Sequence, residues 1–108
     1  MRVELLYWDG CPSHPQALAE LRGAMAELGL DPEAIDVREI DTEDAAEAER
    51  FTGSPTIRVD GADVQATAGE PVVLTCRVYH HRDGRVSPVP DPDDLRDALR
   101  AATQQEPA

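Results

Sequence analysis

LLYWDGCPSH, residues Leu5–His14, runs a two-faced apolar strand into an Asp-Gly turn and places a cysteine just ahead of a helix start. Val3, Leu5 and Tyr7 alternate with Glu4, Leu6 and Trp8, so both faces are largely apolar from Leu5 onward, the pattern of a central strand covered on two sides. Asp9-Gly10 turns the chain. Ser13 is placed to cap a helix and Pro15 lies just inside its start, where a missing N–H costs nothing. Leu18, Leu21, Met25 and Leu28 then recur at helical spacing up to Gly29.

Outward from that stretch, Ile35, Val37 and Ile40 mark a second, less buried strand, and Asp41 or Thr42 caps a second helix that runs through Phe51 and stops at Gly53. Ser54-Pro55 leads into a third strand, Thr56–Val59, closed by the turn signal Asp60-Gly61. Ala62–Pro71 has no clear period. Val72–Tyr79 reads as a strand centred on Cys76, Val78 and His80, followed by an Asp83-Gly84 turn. Pro88, Pro90 and Pro92 make an extended approach to a last helix, capped by Asp91 and carrying Leu95, Ala98, Leu99 and Ala102 on one side. The expected order is β-α-β-α-β-β-α, an α/β fold with a mixed four-stranded sheet flanked by helices. One domain spans residues 1–102, and 103–108 form a flexible tail.

At 108 residues the chain can bury one core. Its 22 acidic residues against 10 basic ones, all arginine, give a net charge of -12, a field that repels nucleic-acid phosphates and anionic lipid. Neither nucleic acid nor a membrane is an expected partner. The absence of a signal-peptide pattern ahead of the first strand points to the cytoplasm. Two cysteines far apart in sequence argue, in a reducing compartment, for buried thiols, metal ligands or redox chemistry rather than a disulfide scaffold.

The cysteine between the first strand and helix in YWDGCPSH, the GSPT ahead of the third strand, and the closing amphipathic helix make the chain resemble the thioredoxin and glutaredoxin superfamily from Val3 to about Ala102. More narrowly it resembles small bacterial thioredoxin-like proteins linked with alkylmercury lyase, partly through CRVY at residues 76–79. The resemblance implies a thioredoxin-like fold and a cis Ser54-Pro55 bond beside Cys11, where the Ser54 backbone would pair with an extended substrate like an added strand. It makes Cys11 the nucleophile. A thiolate at a helix N-terminus falls from about 8.5 into roughly the 3.5–7.5 range; the opposing reading is an inert, buried cysteine.

The second cysteine of such a site is replaced by His14. That leaves monothiol exchange with a separate resolving thiol, a metal site using Cys11 and His14, or a fold retained for binding. His14 would tune the thiolate as an imidazolium, or simply face solvent. Trp8, Ser13, Ser54 and Pro55 would bind substrate, though Trp8 and Tyr7 also suit a core or cleft wall. Cys76 is the only other thiol: a candidate resolving residue, a small buried strand cysteine, or part of a metal site. No metal ligand set is assigned, and His80 and His81, adjacent in a strand, point to opposite faces. The expected activity is thiol–disulfide exchange with a small-molecule or protein thiol or disulfide, or reaction with soft electrophiles such as mercurials. No resident cofactor is expected, and glutathione is the candidate co-substrate. The competing expectation is a non-catalytic binding module for a thiophilic metal held by Cys11, Cys76 and a histidine.

Overall fold

The computed structural model describes residues 1–65, 71, 72 and 74–105. It is a mixed α/β structure. β1 (Val3–Tyr7), β2 (Asp36–Glu39), β3 (Thr56–Val59) and β4 (Ala62–Asp63) form one sheet in the order β2-β1-β3-β4. β1 pairs parallel with β2 and antiparallel with β3, and β3 pairs antiparallel with β4. Three helices complete the frame: α1 (His14–Glu27), α2 (Glu43–Glu49) and α3 (Pro92–Gln105). A separate ribbon pairs β5 (Tyr79–His80) with β6 (Val86–Ser87).

The two-faced character of β1 places it at the centre. Val3 and Leu5 pack with Ile57 and Val59 under α1 and α3, in a core that includes Ala17, Leu21, Met25, Leu95 and Leu99. Leu6 points the other way, into a smaller cluster with Ile40, Ala46 and Phe51 beneath α2. Phe51 is fully buried there, and burial of a side chain that size contributes about 2–3 kcal/mol. Glu4 shares the α2 side of the sheet and is also buried, its carboxylate met by Arg38 and Arg2, so the one charge on the central strand is paired. β2 lies at the sheet edge, and Val37 on it is exposed.

Local chemistry explains most boundaries. Thr42 caps α2 by accepting the Ala45 N–H at 3.0 Å. Asp91 caps α3, its Oδ1 accepting from Asp93 N at 2.9 Å, while Oδ2 accepts from Arg82 N and ties the β5–β6 ribbon to the helix start. Those two N–H donors hold the Asp91 carboxyl below the usual carboxylate range. Asp60 and Gly61 both have positive φ, the two-residue turn that suits the twist of the β3–β4 hairpin.

Three expectations are corrected. The fourth strand of the sheet is Ala62–Asp63, inside the stretch that shows no period, and not Val72–Tyr79. Among the described residues of 72–79 only Tyr79 is part of a strand, and Cys76, Val78 and His80 are exposed while Arg77 and Tyr79 are buried. α2 ends at Arg50, which takes the left-handed position at φ 53, rather than at Gly53. α3 continues through Gln105, so 103–105 are helical and not tail. Residues 66–70 of the aperiodic stretch, Val73 and residues 106–108 lie outside the described residues.

Candidate functional site

The site forms where the C-terminal end of β1, the N-terminus of α1 and the entry to β3 meet. Cys11 closes a tight turn after β1, its N–H donating to the Trp8 carbonyl at 3.0 Å, and it is fully buried. Ser13 occupies the N-cap position of α1 but makes no side-chain cap. Its hydroxyl lies 3.1 Å from the Cys11 sulfur instead. The expected helix-cap bond of Ser13 is therefore absent, and its side chain instead contacts the Cys11 sulfur.

The Ser54–Pro55 bond is cis, and it faces Cys11: the Ser54 carbonyl oxygen is 3.6 Å from Cys11 Sγ. Ser54 Oγ accepts from Trp8 N at 3.0 Å, joining the β1 turn to the β3 entry. Tyr79 donates its hydroxyl to the Pro55 carbonyl at 2.5 Å, and Thr56 donates to the Gly53 carbonyl at 2.7 Å. Ser54, Pro55, Thr56 and Tyr79 are all buried, so this junction is fixed by packing as well as by polar contacts. Burial pushes the Tyr79 phenol well above its ordinary value, against the nearby Arg77 cation.

Cys76 comes to the same place from the far side of the sequence. It forms a disulfide with Cys11, with Cα atoms 5.4 Å apart across a separation of 65 residues. Its neighbours lie beside Ser54 as a short parallel bridge: Ser54 N donates to the Thr75 carbonyl at 2.8 Å, and Arg77 N donates to the Ser54 carbonyl at 2.8 Å. The expectation of a small buried strand cysteine packed against a helix is thus overturned, because Cys76 is an exposed residue bonded to Cys11. β4 is only two residues long, and Cys76 lies beside Ser54 in an isolated bridge outside the four-stranded sheet.

Two side chains hold this segment. Leu74 is half-buried against the Leu6, Ile40, Ala46 and Phe51 cluster. Arg77 is buried, pairing with Asp63 through contacts of 2.6 and 3.0 Å, donating to the Gln65 carbonyl at 2.6 Å, and lying 4.3 Å over the Tyr79 ring. Gly53 makes the approach feasible. At φ 138 it faces the Arg77 backbone, and an added β-carbon would sit 2.8 Å from Arg77 Cβ. Leu74, Asp63 and Arg77 carried no sequence signal for this role; Gly53 did, and was assigned to a helix end.

His14 is near but not on the sulfur. Its ring stacks on Tyr7 with centroids 4.1 Å apart, and Nδ1 donates to the Cys11 carbonyl at 3.3 Å. Its contact is with the cysteine backbone, and through it His14 fixes the turn that carries Cys11. Trp8 is half-buried, its indole lying over Gly10 so closely that a β-carbon there would overlap it. His81 donates Nε2 to the Val89 carbonyl at 2.9 Å, and His80 N donates to the Gln65 side chain, so both serve the ribbon. Among the described residues no group of three or more His, Cys, Asp or Glu side chains is arranged to hold a metal ion. No helix among the described residues is long and apolar enough to cross a membrane.

Chemically, the arrangement offers one disulfide, one sulfur at a helix N-terminus with a hydroxyl beside it, and one backbone edge already occupied by the chain itself. No protein-family model, no curated protein and no solved structure matches this chain.

Proposed function

We propose that this chain is a thioredoxin-like thiol–disulfide oxidoreductase of the cytoplasm, working through a Cys11–Cys76 pair that cycles between dithiol and disulfide. The observation that carries the reading is the placement of both sulfurs: one at the N-terminus of α1 beside the Ser13 hydroxyl, the other brought to it by a segment laid along Ser54. A disulfide in a reducing compartment is characteristically transient and catalytic or redox-sensing. On this reading Cys76 serves as the resolving thiol within the same chain, in place of the monothiol form of the sequence-based expectation.

In the reduced protein, unsatisfied N–H groups at the start of α1 and the Ser13 hydroxyl favour the Cys11 thiolate. Closure of the pair transfers two electrons to a disulfide substrate. One of its sulfurs becomes bonded to a protein cysteine while the other leaves as thiolate; the second protein thiolate then displaces the first sulfur and forms the Cys11–Cys76 bond. Glutathione or a protein dithiol reverses the cycle. Trp8, Ser54 and Pro55 shape the ground on which this occurs, and His14 positions the Cys11 turn through the carbonyl contact.

The reading is tested by mixing the fully reduced protein with oxidised glutathione and mapping peptides without reductant. The expected product is the internal Cys11–Cys76 peptide, with two equivalents of reduced glutathione released. Stable glutathionylation of Cys11 beside a free Cys76 returns the reaction to monothiol exchange. Thiols that stay reduced throughout leave a binding module.

A further inference from the structure

The two sulfurs of the pair differ in access. Cys11 is 0% exposed, enclosed by the α1 turn, Ser54 and the 74–77 segment. Cys76 belongs to the outward row of its segment, next to Val78, which is 58% exposed. The backbone edge beside Cys11 is closed as well. Both the N–H and the carbonyl of Ser54 are already bonded to Thr75 and Arg77, so an extended substrate cannot lie along Ser54 while the segment is docked.

The sulfurs also differ as leaving groups. Thiol exchange is faster when the departing thiolate is the more stabilised one. Cys11 lies in the turn that leads into α1 with the Ser13 hydroxyl 3.1 Å from its sulfur as a donor for the departing thiolate, whereas Cys76 lies in a non-helical segment with no hydrogen-bond donor to its sulfur among the described residues. Access and leaving-group stability therefore favour the same direction of attack.

Resting on the exchange reading above, we propose that Cys76, and not Cys11, is the sulfur through which external thiols enter and leave the pair, with Cys11 as the buried leaving and resolving group. A thiolate of a low-molecular-weight thiol attacks Cys76 Sγ. The Cys11–Cys76 bond breaks, its electron pair goes to Cys11 Sγ, and the external sulfur is left bonded to Cys76. A second thiolate attacks that external sulfur, releasing a symmetrical disulfide and the Cys76 thiolate. The net change is oxidation of two external thiols and reduction of one protein disulfide. In the opposite direction the Cys76 thiolate attacks an external disulfide and expels one thiolate, and the Cys11 thiolate then displaces the other from Cys76. Leu74 and Arg77 keep this order by holding the segment over Cys11 while the pair is oxidised, with Cys76 outermost. The cysteine read from sequence as the nucleophile toward substrate becomes the inner partner.

The test traps the first step. Oxidised wild-type protein is mixed with reduced glutathione, quenched at short times with N-ethylmaleimide, and mapped by mass. The expected species carries glutathione on Cys76 and maleimide on Cys11, in roughly tenfold excess over the reverse pattern, given the differences in access and leaving-group stability. Leu74→Ala, which loosens the segment without touching either sulfur, shifts the ratio toward Cys11. Glutathione found mainly on Cys11 in the wild type overturns the assignment while leaving exchange itself intact. A disulfide that gives neither adduct and survives excess glutathione overturns both the assignment and the exchange reading.

Discussion

Cys11 is held by the backbone of a strand end and a helix start, whereas Cys76 is held by the side chains on either side of it. The turn at residues 8–14 is a short local unit: Trp8 O receives Cys11 N, Ser13 meets the sulfur, and His14 returns to the Cys11 carbonyl. The 74–77 segment has no comparable local structure. It is fixed by Leu74 in one core cluster, by Arg77 on Asp63 and Tyr79, and by two backbone bonds to Ser54. A local unit stays formed when a distant contact is lost; a segment held by remote anchors opens when one of them goes. The difference makes the Cys76 side of the disulfide the one expected to open first.

The largest effect should come from cutting the covalent tie. A crosslink spanning 65 residues removes about 4 kcal/mol of unfolded-state freedom on the chain-entropy view. Reduction, or Cys76→Ser, should lower unfolding stability in urea by up to that amount. Amide exchange should then rise at Thr75–Arg77 and stay slow at Cys11 and Ala17. Equal loosening on both sides would show that the 8–14 turn is not self-supporting and would break the comparison.

Arg77→Ala comes next. Its side chain is 6% exposed and that of Asp63 18%, and removing one partner of such a pair strands the other charge. The expected cost is about 3 kcal/mol, at the low end of the range because Asp63 keeps some contact with water. The variant should also lose slow exchange at Arg77 N and Ser54 N even with the disulfide intact. A loss under about 0.5 kcal/mol, the usual scatter of surface substitutions, would mean the disulfide alone holds the segment.

The same contrast explains what could be read from sequence. Around Cys11 the signals are local: two-faced apolar alternation in β1, an Asp-Gly turn, and a proline inside the helix start. Asp60-Gly61 and Asp91-Pro92 are legible for the same reason. Around Cys76 the sequence pattern centres a strand on Cys76, Val78 and His80 with Cys76 as a buried residue, whereas Arg77 and Tyr79 are the buried ones. A shift of one residue reverses every side chain on a strand, and here a buried ion pair sets the parity by drawing Arg77 inward to Asp63. Nothing within 72–79 reveals that partner, which lies in the aperiodic stretch. Gly53 shows the same limit: its glycine was assigned to ending α2, while Arg50 took the left-handed position and Gly53 served the close approach of Arg77.

The smallest expected effect lies on the local side and sharpens the contrast. Ser13 caps nothing, so Ser13→Ala should change the stability of the oxidised protein by no more than about 0.5 kcal/mol. Its hydroxyl lies 3.1 Å from the Cys11 sulfur, and on the exchange reading it would donate to the thiolate of the reduced protein, a bond that favours the charged form. Removing it should move the midpoint of Cys11 alkylation in the reduced protein upward. The sign for stability follows. A thiol whose folded pKa lies below its unfolded value near 8.5 contributes stability that is fully present above 8.5 and is lost as pH falls through the folded pKa. The reduced wild type should therefore gain stability relative to reduced Cys11→Ser as pH rises toward 8.5, and Ser13→Ala should narrow that gain. Iodoacetamide titration of Cys11 in a Cys76→Ser background, with and without Ser13, reads the shift directly. An unchanged midpoint would assign the thiolate's stabilisation to the α1 N-terminus alone and remove Ser13 from the chemistry.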